Sequence, residues 1–113
     1  MFMNQRAGVQ DVLLGAAASA LYTAPANTVT RLSSFTFTNQ DATARTVSVH
    51  LVKAGSAAGN QNRVIAPYVL AAGEAWTCPH LNHNLKPGDS VQALADAAGV
   101  VSVYGSVIEM SKA

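Results

Sequence analysis

The chain has 113 residues, half of them hydrophobic, and seven Lys and Arg against six Asp and Glu give a formal net charge of +1. That length forms one domain with a real core. The cations are scattered from Arg6 to Lys112, without the clustered footprint that nucleic acid requires, and no apolar run approaches the ~20 residues of a membrane span.

Neither nucleic acid nor membrane is therefore expected as a partner. The charged fraction is 12%, whereas a typical soluble domain carries about 25%. Ala, Ser, Thr, Asn and Gln fill the difference. A surface so poor in charge is weakly hydrated and repels its own copies weakly. This favours a protein covered by neighbours over a neutral monomer. The single Cys78 excludes an internal disulfide; a lone cysteine suits a reducing cytoplasm and behaves as a small apolar group. No Asn lies in a glycosylation sequon.

Residues 1–10 (MFMNQRAGVQ) show no period and carry two Met and a Phe. They are expected as an N-terminal arm, packed on a neighbouring subunit or frayed, with residues 11–113 as a single domain. Val12 to Ala18, downstream of Arg6, imitates a leader sequence. Asp11 abuts it and the stretch is at the lower length limit, so it reads as an apolar opening strand or lining.

Ala20 to Ala24 reads as a strand stopped by Pro25, and Ala26-Asn27 turns the chain. Thr28 to Thr38 (TVTRLSSFTFT) is a long β-rich run in which Leu32 breaks the parity of Phe35 and Phe37. A bulge near Ser33-Ser34 reconciles the two halves. Asn39 to Ala42 is turn chemistry. Arg45 to Val52 alternates, with Val47, Val49 and Leu51 on one face and Thr46, Ser48 and His50 on the other.

Lys53 to Asn62 is expected as a flexible loop, and Arg63 to Leu70 as an edge or broken strand, because Pro67 lacks an N–H. Ala71 to Glu74 is a tight turn into the short strand Ala75 to Cys78. A polar connection from His80 to Asn84 leads to the Pro87-Gly88 turn. Ser90 to Ala95 is a strand, Asp96 to Gly99 is expected to close a hairpin, and Val100 to Glu109 is the last strand, with Gly105 where something approaches closely.

The expected fold is all-β: a seven- to eight-stranded antiparallel β-sandwich, jelly-roll or immunoglobulin-like, with an N-terminal arm. Thr and Ser alternating with Val give each strand one buried and one wet face. The expected core is Phe35, Phe37, Val47, Val49, Leu51, Trp76, Val91, Val101, Val103 and Val107.

No catalytic, cofactor or metal assignment follows. Cys78, His80 and His83 crowd into six residues, but zinc usually takes two short ligand pairs, and His50 would have to arrive from another strand. A buried thiol before a solvated loop is the simpler reading. Gly55 to Gly59 lacks the Lys and the helix of a phosphate loop. Four of the six carboxylates fall in turns. No spacing sets two across a cleft, and no nucleophile elbow exists. Trp76 and Tyr104 would have to share an exposed face to bind sugar; core or interface is the simpler place for them.

The segments Leu21 to Thr28, Phe35 to Asn39 and Val47 to Val52 together resemble small tailed-bacteriophage virion proteins, as do Ala71 to Glu74 and Leu85 to Ala93. The resemblance spans Leu21 to Glu109 and rests on turn signatures and alternation. It implies a β-sandwich without enzymatic activity, and most directly a capsid decoration, or cement, protein. Such a protein is made in the host cytoplasm, forms homotrimers, and binds the phage major capsid protein on the virion exterior. A tail, head-fibre or baseplate accessory is the alternative, with a cell-surface glycan-binding module after it.

Overall fold

A computed structural model describes residues 2–79 and 81–111. Nine strands follow one another: β1 (Phe2–Leu13), β2 (Ser19–Thr23), β3 (Thr28–Asn39), β4 (Arg45–Val52), β5 (Arg63–Leu70), β6 (Ala75–Thr77), β7 (Asn84–Leu85), β8 (Ser90–Ala95) and β9 (Val101–Ser111). They form two antiparallel sheets. Sheet A has the order β1-β9-β3-β6, with the short β7 also on β3, and sheet B the order β2-β8-β4-β5. With β6 and β7 sharing one edge position, this is the eight-position wiring of a jelly roll, which decides between the two sandwich topologies the sequence allows.

Each strand forms for local reasons. In β3, Thr28, Thr30 and Leu32 face inward, then Phe35, Phe37 and Asn39 do. The register with β9 slips between Leu32 and Ser34. The extra residue, Ser33, restores the inward aim of the aromatic half, as the parity break in the sequence requires. Opposite Phe35 stands Gly105. A Cβ there would lie 2.6 Å from the Phe35 ring, so the glycine gives the ring its place. Pro67 lies in β5, the edge of sheet B, where the four residues from Ile65 to Tyr68 stand against the three from Val49 to Val47. Edge and bulge together tolerate the missing donor.

The core lies between the sheets. Phe35, Phe37, Val47, Val49, Val91, Val101, Val103 and Val107 are all fully buried there. Leu51 and Trp76 are half-buried and pack against it. Leu14, Leu32, Leu70, Leu81 and Leu85 complete it.

Four local expectations are corrected. First, Phe2–Leu13 is one strand paired along β9 through two bulges, so residue 10 lies inside β1; its lack of period reflects an edge position and those bulges. Second, Asp96 to Gly99 closes no hairpin, because β8 and β9 belong to different sheets. Its backbone bonds other elements instead, Asp96 N–H to Thr46 O at 3.2 Å and Gly99 N–H to Leu14 O at 3.0 Å. Third, residues 53–62 are ordered by their own bonds and contain a 3-10 turn at Asn60–Asn62. Asn62 donates to Ala57 O (3.0 Å) and accepts from Gly59 N–H (3.0 Å). Fourth, the polar stretch before Lys86 supplies β7, whose Leu85 pairs with Thr30.

Candidate assembly surface

Antiparallel strands rise about 3.4 Å per residue, so β1 and β3 of sheet A, with 12 residues each, outreach the strands of sheet B, where β4 and β5 have 8, β8 has 6 and β2 has 5. The sheets are tied near Leu13, Asn39 and Val101. There Ala95 N–H donates to Gly15 O at 2.9 Å, and the Asn39 amide donates to Leu70 O at 3.2 Å. The long strands of sheet A run on from this tie to the end formed by Phe2, Thr28 and Ser111, where Thr28 and Thr30 stay buried, in a molecule 48 Å along its longest axis.

At that end the usual polarity of a sandwich strand is reversed. Register places Met3 beside Met110 and Met110 beside Val29, forming an apolar row on the outer face. Met3 is 72% exposed and Val29 39%. The next row outward is Gln5, Ile108 and Arg31. The inner face of the same strands carries Asn4, Glu109 and Thr30, then Arg6, Val107 and Leu32. Polar side chains turned in and methionines turned out suit a sheet covered from outside.

The inner polar groups form a latch. Arg6 grips Glu109 with two parallel bonds, Nε and Nη2 each at 2.9 Å. Such forked pairs are strong and directional. Tyr22, reaching across from β2, donates its phenol proton to Glu109. With that proton committed, the phenol oxygen accepts from Thr30 at 2.9 Å. The Arg6 guanidinium sits 5.7 Å from the Tyr22 ring centre, within cation–π reach. The Arg6 bonds hold the Glu109 carboxyl below the usual range, against the opposing effect of burial. Burial, then the bond to Glu109, pushes the Tyr22 phenol up. The latch joins β1, β2, β3 and β9, and so ties this end of sheet A to sheet B.

Elsewhere polar groups are occupied by structure. The Asp41 carboxylate takes Arg45 at 2.9 Å and the Ala42 N–H at 2.7 Å, which lowers its pKa, the Arg45 bond first. Glu74 accepts from Ala71 N–H at 2.8 Å, and Asp89 from Lys86 and Ala54 N–H at 3.1 and 3.0 Å. These carboxylates close turns. Asp11, at a left-handed φ of 54° in the second bulge of β1, accepts from the Tyr104 hydroxyl at 2.5 Å, which raises the phenol pKa.

The ligand candidates sit apart in role. Cys78 is buried after β6. His83 is exposed, and its carbonyl accepts from Leu32 N–H at 2.9 Å. His80 lies outside the described residues. His50 is buried beneath the 53–62 loop, with Nδ1 3.1 Å from Gly59 O and 3.0 Å from Asn62 Oδ1. Both partners are acceptors, so Nδ1 carries the proton. Among the described residues no three of His, Cys, Asp and Glu gather as metal ligands, and no ligand-sized pocket opens.

The aromatics separate as well. Trp76 pairs in register with the inward Phe37, and Tyr104 with Thr36 on the outer face. The two rings therefore occupy opposite faces of sheet A and make no common platform. Trp76 stacks on Tyr68 instead, 3.9 Å between centres, closing the β5–β6 side of the sandwich.

This set of elements defines a jelly-roll domain whose distinguishing features are surfaces rather than a cleft. No protein-family model and no curated protein matches the sequence. Among solved structures the chain is similar in fold to one from the Bacillus endospore appendages, described as a novel family of disulfide-linked pili. The TM-score is 0.57 at 16% identity, over 98% of this chain and 89% of that one. It is also similar to a chain of infectious bursal disease virus, Gx strain, with a TM-score of 0.57 at 15% identity over 96% of this chain. The match covers 31% of that viral chain, so this chain spans about a third of its length. At such identities the shared property is the fold, and folds host many functions.

Proposed function

We propose that this chain is a non-enzymatic structural subunit of a bacteriophage virion, a capsid decoration protein that bridges major capsid subunits on the outside of the mature head. The observation that carries the reading is the outward apolar row Met3, Met110 and Val29 over an inward polar latch. A side chain placed this way gains free energy only when a neighbour covers it. Low charge supports the same reading, since many copies stand side by side on a shell, and so does the resemblance to small phage virion proteins. The two structural neighbours come from assemblies described as pili and as a virus. The resemblance carries with it homotrimers and host-cytoplasmic synthesis.

Heads lacking the protein test this. They should assemble, then burst at lower temperature or on osmotic shock, and regain resistance when the purified chain is added. Unchanged resistance, with no binding of added protein, rules the cement role out.

A second reading has its own support. The pilus chain matches over nearly its whole length, which favours a filamentous, tail or head-fibre subunit. The disulfide cross-links of those pili do not transfer, because the single cysteine, Cys78, is buried. Density for the jelly roll along the tail instead of the head identifies this alternative.

A further inference from the structure

A jelly roll leaves an outermost strand at each side of each sheet, and here the outermost strands differ sharply. On sheet B, β5 is bulged around Pro67, and β2 has 5 residues with a register break between Ala20 and Tyr22. On sheet A, β6 and β7 have 3 and 2 residues. Short, bulged or proline-bearing edges resist pairing with other chains. β1 is the exception. From Phe2 to Ala7 it runs in unbroken register along β9, and its first break comes between Ala7 and Val9. Among the described residues its other side has no partner strand. This run carries one charge, on Arg6.

We propose that this edge of β1 binds the same edge of a second copy of the chain, antiparallel about a two-fold axis, joining two A sheets into one. The self-complementarity of the run identifies the occupant. A two-fold axis perpendicular to the sheet places outward residues beside outward ones. The register centred on Gln5 pairs five residues of the straight run, Met3 to Ala7: Gln5 faces its own copy, Met3 faces Ala7 and Asn4 faces Arg6. Arg6 then meets the neutral Asn4 rather than another Arg6; a pair centred on Arg6 would oppose two cations. The contact also brings the exposed Met3 of each copy against Ala7 of the other. It is isologous and closes at two chains. It is thus separate from any threefold contact and independent of the particle to which the chain belongs.

Charge exchange at the centre of the contact tests it. Gln5 is exposed, so Gln5→Lys and Gln5→Glu keep the fold, checked by circular dichroism and melting temperature. Each variant alone sets like charges directly opposite and should self-associate severalfold more weakly than the parent in sedimentation. Mixed in equal amounts they should form a Lys–Glu heteropair that restores association. In parallel, Gln5→Cys should oxidise to a species of twice the chain mass, whereas Thr43→Cys, in an exposed turn, should not. If both charged variants associate like the parent and mixing changes nothing, or if Gln5→Cys cross-links no faster than Thr43→Cys, the β1 contact does not exist.

Discussion

Glu109 shows how one side chain ties the Phe2, Thr28 and Ser111 end of the molecule together. Its carboxylate accepts from Arg6 and Tyr22, and its pKa is lowered from 4.5. A carboxyl with a depressed folded-state pKa contributes stability that is present above its unfolded value and lost as pH falls through the folded one. The melting temperature should therefore drop as pH falls below about 4.5, and Glu109→Gln should lower it at neutral pH while flattening that acid slope. Tyr22 works in the opposite sense. Its pKa is raised from 10.0, so its contribution is present below that value and lost as the phenol ionises at higher pH. Thermal denaturation of both forms across the acid range checks the Glu109 assignment; parallel acid slopes exclude it. Gly105 gives a steric counterpart. Gly105→Ala drives a methyl into the Phe35 ring, and overpacking of this kind costs about 1–3 kcal/mol, readable as a lower urea midpoint.

At the scale of elements, stability follows sheet position. β9 and β3 are flanked on both sides in sheet A, and β8 and β4 in sheet B. Their amides should exchange most slowly with solvent, those of β5 around Pro67 among the fastest. Uniform exchange across edge and centre contradicts this ordering. The same contrast explains what could be read from the sequence. β4, β5 and β8 match the expected runs residue for residue, because turn signals bound each of them; the expected wet face of β4 is not found, since Ser48 and His50 are buried as well. The Ser33 bulge and the close approach at Gly105 were legible too, one as broken parity and the other as a glycine inside a valine run. β1 was not, since its inward positions carry Asn4, Arg6 and Gly8 beside a bulge. The wiring of Asp96 to Gly99 was also hidden, because a turn signal says that the chain reverses and not which sheet it enters. The latch joins residues 103 and 87 positions apart, so no local pattern announces it. Asn39 reads only as a turn former, yet it is fully buried and its amide donates to Thr43, Leu70 and Ala71 carbonyls. Asn39→Ala removes the amide donor from the buried Leu70 carbonyl, a loss of about 1–3 kcal/mol visible in the same urea titration.

Over the whole molecule, the described residues form a stiff two-layer slab with most polar side chains engaged and apolar ones turned outward at one end. Those outward groups need a cover, and the account requires that something binds there. Val29 is the most direct probe, because it sits on β3 beside Met110 in the outward apolar row and exposed substitutions away from structural features shift stability by only about 0.5 kcal/mol. Analytical ultracentrifugation of the purified chain and of Val29→Lys, over micromolar to millimolar concentration, measures the adhesion itself. The account predicts that the parent forms species larger than the pair joined through β1 as concentration rises, and that the Lys variant, folded and equally stable, goes no further than that pair. A parent of 11.7 kDa chains that goes no further than that pair throughout, or a Lys variant that builds species just as large, contradicts it.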